Sequence, residues 1–258
     1  MRVEHVDMTG TQPLVHALAK RERLTGEEFE TFLREVEGVK YPLRQHDGHL
    51  LIEVDGRAYL VDTGSPWSLG SQPVRLGGRE FPMQPSDLTG HTCESIAEMV
   101  GTPFDGLLGT DILANFDLEF SVRDGVLRLS GPLLEIEDGP AVESVQGVPL
   151  VSVEIAGERV PMLFDTGAPL SYLSEDYVRG MPSLGEVEDF HPFLGRFAVT
   201  THAVEVSAWG RQMRIRAGRA PIMIAAALGV AGAQGILGTE ILQHGVLRLS
   251  WRQKRAAL

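Results

Sequence analysis

The chain repeats itself. Val61-Asp62-Thr63-Gly64-Ser65-Pro66 returns as Phe164-Asp165-Thr166-Gly167-Ala168-Pro169. Each copy is followed by a second matched signature, Phe104-Asp105-Gly106-Leu107-Leu108-Gly109-Thr110-Asp111-Ile112-Leu113 and then Gln234-Gly235-Ile236-Leu237-Gly238-Thr239-Glu240-Ile241-Leu242. A third element closes each copy, running GVLRLS from Gly125 to Ser130 and again from Gly245 to Ser250. Matched elements in a preserved order mark a duplication. What one unit folds into, the other folds into again, and each unit brings one aspartate on a glycine turn.

The local patterns are those of strands. Leu50 to Val54, a turn at Asp55-Gly56, and Arg57 to Val61 form a hairpin that delivers Asp62. In the second unit Val151, Val153 and Ile155 alternate with Ser152 and Glu154, Gly157 marks the turn, and Val160 to Phe164 deliver Asp165. The units differ in length, with 47 positions from Asp62 to Gly109 against 73 from Asp165 to Gly238. Val74 to Phe81 lines up with Val206 to Met213, so the extra residues fall between about Ser171 and Val204. Within them Phe190 to Val199 reads as a hairpin with an apolar, glycine-containing tip, a candidate lid over a shared cleft.

The remaining segments set the domain boundaries. Residues 1–44 form a helical N-terminal segment, with a capping box at Thr25-Gly26-Glu27-Glu28 and Phe29, Phe32, Leu33 and Val36 at helical spacing. A second, weaker helix spans Gln12 to about Lys20. The segment is a cap on the first lobe or a pro-segment, and its lack of a basic cluster favours the cap. Residues 45–131 form the first lobe, 132–147 a Gly-, Pro- and acid-rich linker, and 148–258 the second lobe with the candidate lid. The apolar run from Ala220 to Ala233 contains Pro221, Gly229 and Gly232, is too short to span a bilayer, and reads as core strand and loop.

Paired aspartates suggest a chemistry. Amide hydrolysis needs an activated water and a proton for the departing nitrogen. Two close carboxyls can supply both, because like charges close together cannot both ionise cheaply, and one proton is shared. The glycine after each Asp-Thr lets the two loops approach without a Cβ between them. The threonine hydroxyl can hydrogen-bond across the junction. Asp105, Asp111 and Glu240 read as helix-end or surface carboxylates.

In combination these motifs resemble the aspartic protease superfamily of pepsins and retroviral proteases, over roughly residues 45–251. The Gly-Thr-Asp-Ile-Leu and Gly-Thr-Glu-Ile-Leu endings are similar to the retroviral unit, and the covalent joining of two units is similar to pepsin. The resemblance implies an all-β, bilobal acid-protease fold in which the apolar-apolar-Gly strand packs under the Asp loop. It implies catalytic roles for Asp62 and Asp165, and supporting roles for Thr63, Gly64, Ser65, Thr166, Gly167 and Ala168. Pepsins carry a tyrosine-bearing flap on the first lobe. Here only the second unit has room for one, which puts Phe193, Leu194, Gly195 and Phe197 at the flap. Trp67, five positions past Asp62, is the tryptophan best placed for the cleft. Ala168 lacks the hydroxyl of Ser65, so the expectation is one fewer hydrogen bond to Asp165, a higher pKa on that side, and a working pH milder than pepsin's.

Composition narrows the alternatives. A net charge of −12 argues against nucleic acid and anionic membranes as partners. His46 and His49 have a spacing compatible with a metal, but no nearby pair completes a site. No Gly-x-Ser-x-Gly elbow or phosphate-cradling loop is present. The expectation is a peptide or protein substrate, no cofactor and no metal. The internal duplication makes a monomer sufficient. Cys93 is the only cysteine and the N-terminus lacks a basic-then-apolar run, so a cytoplasmic site is expected. A non-catalytic peptide-binding or assembly module on the same fold is the alternative.

Overall fold

The computed structural model describes residues 38–258 except 88, 132–135, 137–138 and 193. The expected N-terminal helices and Phe193 lie outside the described residues. The first unit contains β1 (Val39–His46), β2 (His49–Val54), β3 (Arg57–Val61), β4 (Leu69–Gly70), β5 (Val74–Leu76) and β6 (Arg79–Phe81). It continues with α1 (Cys93–Val100), β7 (Gly106–Leu108), α2 (Thr110–Leu113), β8 (Asp117–Ser121) and β9 (Val126–Ser130). The second contains β10 (Glu143–Val145), β11 (Val148–Ile155), β12 (Glu158–Phe164), β13 (Ser171–Leu173), α3 (Glu175–Val178), β14 (Ser183–His191), β15 (Gly195–Ala208) and β16 (Arg211–Arg219). It ends with α4 (Ile222–Val230), β17 (Gly235–Leu237), a 3₁₀ turn at Thr239–His244, β18 (Leu247–Ser250) and β19 (Arg255–Ala257).

The architecture is all-β and bilobal. One sheet orders its strands β19-β18-β8-β9-β1-β2-β3-β7-β4, the other β10-β11-β12-β17-β13-β16-β15-β14, and β5-β6 is a separate ribbon. The aspartate-bearing hairpins turn at Asp55-Gly56 and Ala156-Gly157, where both residues of each pair have positive φ. That is the primed turn whose twist matches its flanking strands.

Four sequence expectations are corrected. Strand structure begins at Val39, inside the stretch assigned to the helical segment: Val39–Pro42 pairs with β9 and Leu43–His46 with β2. Within the 132–147 linker the described residues are packed. Ile136 and Val142 are buried, β10 pairs with β11, and a Cβ on Gly139 would overlap the Ala256 carbonyl. The Ala220–Ala233 run contains a helix, α4, not a strand, and it buries Ile224 and Leu228 while Ile222, Met223 and Val230 stand exposed. Finally, β18 and β19 belong to the first unit's sheet, where β18 pairs with β8. The two GVLRLS elements therefore flank the same strand, β8, and tie the units together.

Beneath the cleft the lobes share one core. Phe120 on β8 and Phe164 on β12, both essentially unexposed, meet edge to face at 6.3 Å. Truncating either to alanine would cost about 3–5 kcal/mol. Among the described residues no helix is long and apolar enough to cross a membrane.

Candidate active site

Each aspartate sits at the end of a strand whose neighbour is the apolar-apolar-Gly strand. β3 runs parallel to β7 with Val61 opposite Leu108, and β12 runs parallel to β17 with Phe164 opposite Leu237. The Asp62 N–H donates to the Leu108 carbonyl and the Asp165 N–H to the Leu237 carbonyl, both at 3.0 Å. Gly109 N–H donates to Ser68 Oγ at 2.8 Å, and Gly238 N–H to Ser171 Oγ at 3.1 Å. A Cβ on Gly109 would lie 2.5 Å from the Trp67 backbone, and one on Gly238 2.6 Å from the Ala168 carbonyl. Both signature glycines are thus fixed by close approach, because the Asp loop rests directly on them.

The two loops interlock through their threonines, each fully buried. Thr63 Oγ1 donates to the Phe164 carbonyl at 2.7 Å and accepts from Thr166 N–H at 3.0 Å. Thr166 Oγ1 donates to the Val61 carbonyl at 2.7 Å and accepts from Thr63 N–H at 3.0 Å. Every donor and acceptor in this exchange crosses the junction between lobes. It brings each carboxyl group over the glycine of the opposite loop. A Cβ on Gly167 would lie 2.5–2.6 Å from the Asp62 carboxyl, and one on Gly64 would overlap that of Asp165.

The carboxyl groups hydrogen-bond to each other. Burial, then the neighbouring Asp165 charge, pushes Asp62 well above the usual carboxylate range. Two backbone donors, Gly64 and Ser65, bond its Oδ1 at 2.9 Å. Burial also raises Asp165, but the N–H groups of Gly167, Ala168 and Gly64 favour its ionised form. Both carboxyls are raised, and the pair titrates as a unit. The expected effect of the Ser65/Ala168 difference is not found. The Ser65 hydroxyl donates to the Trp67 carbonyl at 2.7 Å, away from the dyad, while its backbone N–H serves Asp62.

The aspartates line the floor of a cleft of about 420 Å³. Leu60, Trp67, Leu69 and Ile96 of the first lobe and Tyr172, Phe197, Ile224 and Ile236 of the second supply apolar walls. Trp67 stands at the rim, 40% exposed. The β14–β15 hairpin covers the cleft from the second lobe, and Phe190, His191 and Pro192 line it together with Phe197. Of the residues expected at the flap, Phe197 reaches the cleft, whereas Leu194 packs on the second-lobe cluster of Leu170, Tyr172 and Val199, and Gly195, at φ 71°, shapes the tip. Phe190 packs across the gap on the first-lobe cluster of Leu51, Leu60 and Val100. His91 of the first lobe hydrogen-bonds the Pro192 carbonyl through Nε2 at 2.9 Å.

Sequence reasoning missed several cleft residues. No tyrosine sits near the hairpin tip, yet Tyr172 on β13 reaches the hairpin, its ring tilted 52° to that of Phe197 at 6.3 Å and its hydroxyl hydrogen-bonded to Asp189. His49, Asp87 and Gln146 also line the cleft. The Asx turn at Asp87, whose Oδ1 accepts from Thr89 and His91 N–H groups, was a readable signal for the loop that presents His91. Among the described residues no group of three His, Cys, Asp or Glu side chains is arranged to hold a metal ion.

No protein-family model matches the chain, and no curated protein matches it. Among solved structures it is similar to the foamy viral protease–reverse transcriptase in complex with an RNA/DNA hybrid, at 13% identity and a TM-score of 0.31. The alignment covers 38% of this chain and 12% of that one.

Proposed function

We propose that the chain is an aspartic endopeptidase in which Asp62 and Asp165 activate one water between them. The observation that carries the reading is the hydrogen-bonded carboxyl pair on the cleft floor, fixed by the reciprocal threonine exchange. A pair so placed shares one proton at neutral or mildly acid pH. With that proton on Asp62, the Asp165 carboxylate takes a proton from water as its oxygen attacks the scissile carbonyl carbon. Asp62 gives its proton to the carbonyl oxygen, leaving a neutral diol. Asp165 then protonates the amide nitrogen while Asp62 recovers a proton from one diol hydroxyl, and the C–N bond breaks. The dyad ends as it began, with no covalent intermediate.

The apolar walls suit apolar side chains on either side of the scissile bond, and an extended peptide in the cleft would find main-chain partners on the covering hairpin. The test is mass spectrometry of pure protein incubated with a mixed peptide library from about pH 3 to about pH 8. Discrete cleavage, blocked by a statine-type transition-state analogue, is expected. A protein inert to the whole library across that range would favour the non-catalytic peptide-binding reading.

A further inference from the structure

The covering hairpin is a narrow ribbon. Among the described residues, its strands pair only with each other from Glu186 to Thr200, and the third strand, β16, joins β15 at Thr201, opposite Gly218. A two-stranded ribbon on its own is marginally stable in water. Its place over the dyad therefore depends on what its side chains and main chain grip. On the first-lobe side the grips are Phe190 and the Pro192 carbonyl, close to the tip. On the second-lobe side Tyr172 takes hold.

Tyr172 holds both strands at one rung. Asp189 on β14 and Phe197 on β15 are directly opposed. The Tyr172 hydroxyl donates to Asp189 Oδ2, and its ring centre lies 6.3 Å from that of Phe197. Asp189 Oδ1 in turn accepts the Phe190 N–H at 2.8 Å, where the ribbon reaches the first lobe. Tyr172 is only 4% exposed and packs with Leu170 and Val199, so it is a fixed post. Burial, then the neighbouring Asp189 charge, pushes the phenol pKa up, and the hydroxyl keeps its proton to donate.

The duplication shows what stands at this position where there is no ribbon. Tyr172 pairs with Ile236 on β17, and Leu69 pairs with Leu107 on β7. Ile236 and Leu107 are equivalent, since they lie opposite Leu163 and Leu60, each two residues before its aspartate. Leu69 is therefore the first-unit counterpart of Tyr172, and both are buried side chains that line the cleft. Leucine is enough to fill this position in the unit without the hairpin. The unit with the hairpin has a hydroxyl here, and the hydroxyl is spent on the hairpin.

We propose that Tyr172 is a positioning residue: by gripping the Asp189–Phe197 rung it holds the ribbon closed over the dyad, where the ribbon's main chain meets an extended substrate. The substrate role rests on the peptidase reading, whereas the grip is measurable without a substrate. A looser ribbon spends less time closed, and a ligand that needs it closed binds more weakly by that fraction. Once bound, the substrate itself holds the ribbon down, so turnover at saturation is spared.

The test is Tyr172→Phe, which removes the hydroxyl and keeps the ring. Hydrogen exchange of the ligand-free protein should show residues 186–200 exchanging severalfold faster, with β11 and β12 at the wild-type rate. On a peptide that wild type cleaves, KM and the Ki of a statine-type analogue should rise severalfold, up to about tenfold, with kcat within about twofold. The double variant with Asp189→Ala should bind no more weakly than the weaker single variant, because both cut the same bond. A tyrosine that only supports the core would instead lower kcat and the melting temperature together, with KM unmoved. Wild-type exchange of the ribbon in Tyr172→Phe would overturn the inference and leave the peptidase reading standing. Faster exchange with unchanged KM would also overturn it, since the grip would then not serve the substrate. Failure of wild type to cleave any peptide would overturn the peptidase reading and the substrate role with it, whatever the exchange shows.

Discussion

Replacing Thr63 by valine tests the junction with almost no change in side-chain volume. The hydroxyl it removes does two jobs, donating to the Phe164 carbonyl and accepting from the Thr166 N–H. Thr63 and Thr166 are 0% exposed and Phe164 1%, so water cannot replace either bond. Each orphaned group costs about 1–3 kcal/mol, so the pair should cost about 2–6 kcal/mol. That is a large share of the ~5–15 kcal/mol that holds a typical domain together. Thr63→Ser keeps the hydroxyl and loses only a methyl, worth about 0.8 kcal/mol. Equilibrium urea unfolding of wild type and both variants measures these terms, and peptidase activity should fall with Thr63→Val because the opposed carboxyls lose their register. The reasoning is refuted if Thr63→Val loses less than about 1 kcal/mol, or if Thr63→Ser is as damaging as Thr63→Val.

Three more outcomes follow from the same geometry. Gly167→Ala puts a Cβ 2.5–2.6 Å from the Asp62 carboxyl, which must move; activity should fall on the order of 100-fold while unfolding stays cooperative, as read by initial rates and thermal melts. Because Asp62 is raised in the folded state above an unfolded value of about 3.9, the stability linked to its proton is present below about pH 4 and is lost as pH rises towards the folded pKa. Asp62→Asn should flatten that part of the stability–pH curve measured by urea melts, and an unchanged slope would contradict it. Both members of the pair are raised, so the pH profile of kcat/KM should have its maximum above that of ordinary carboxylates; a peak below about pH 3 would contradict this.

What the letters carried was the part of the site that is repeated. Asp62 and Asp165, their glycines and threonines, and the Leu108 and Leu237 strands were legible because two copies of each motif appear in order, and local turn chemistry at Asp55-Gly56 placed the hairpins. The asymmetric parts were not. His49 and Phe190 meet only in the fold, and a histidine opening a strand has no local signal that sets it apart from a core residue. β18 has the same letters as β9, so nothing in GVLRLS told that it would pair with β8 of the other unit. α4 is apolar on every side, with Ile222 85% and Val230 93% exposed, so it offered no helical period to read. The Ser65 hydroxyl went astray for another reason: in a tight turn its nearest acceptor is the carbonyl of Trp67, two residues on, and sequence alone does not rank that against a carboxylate.

The proposed chemistry requires both carboxyl groups to act on one water. Its most direct test is kcat/KM for Asp62→Asn and Asp165→Asn, measured separately on a peptide that wild type cleaves, with thermal unfolding followed on the same samples. Each variant should unfold cooperatively near the wild-type temperature and lose activity by a factor on the order of 10⁴ or more. A folded variant of either kind that keeps more than about a tenth of wild-type activity would contradict the account.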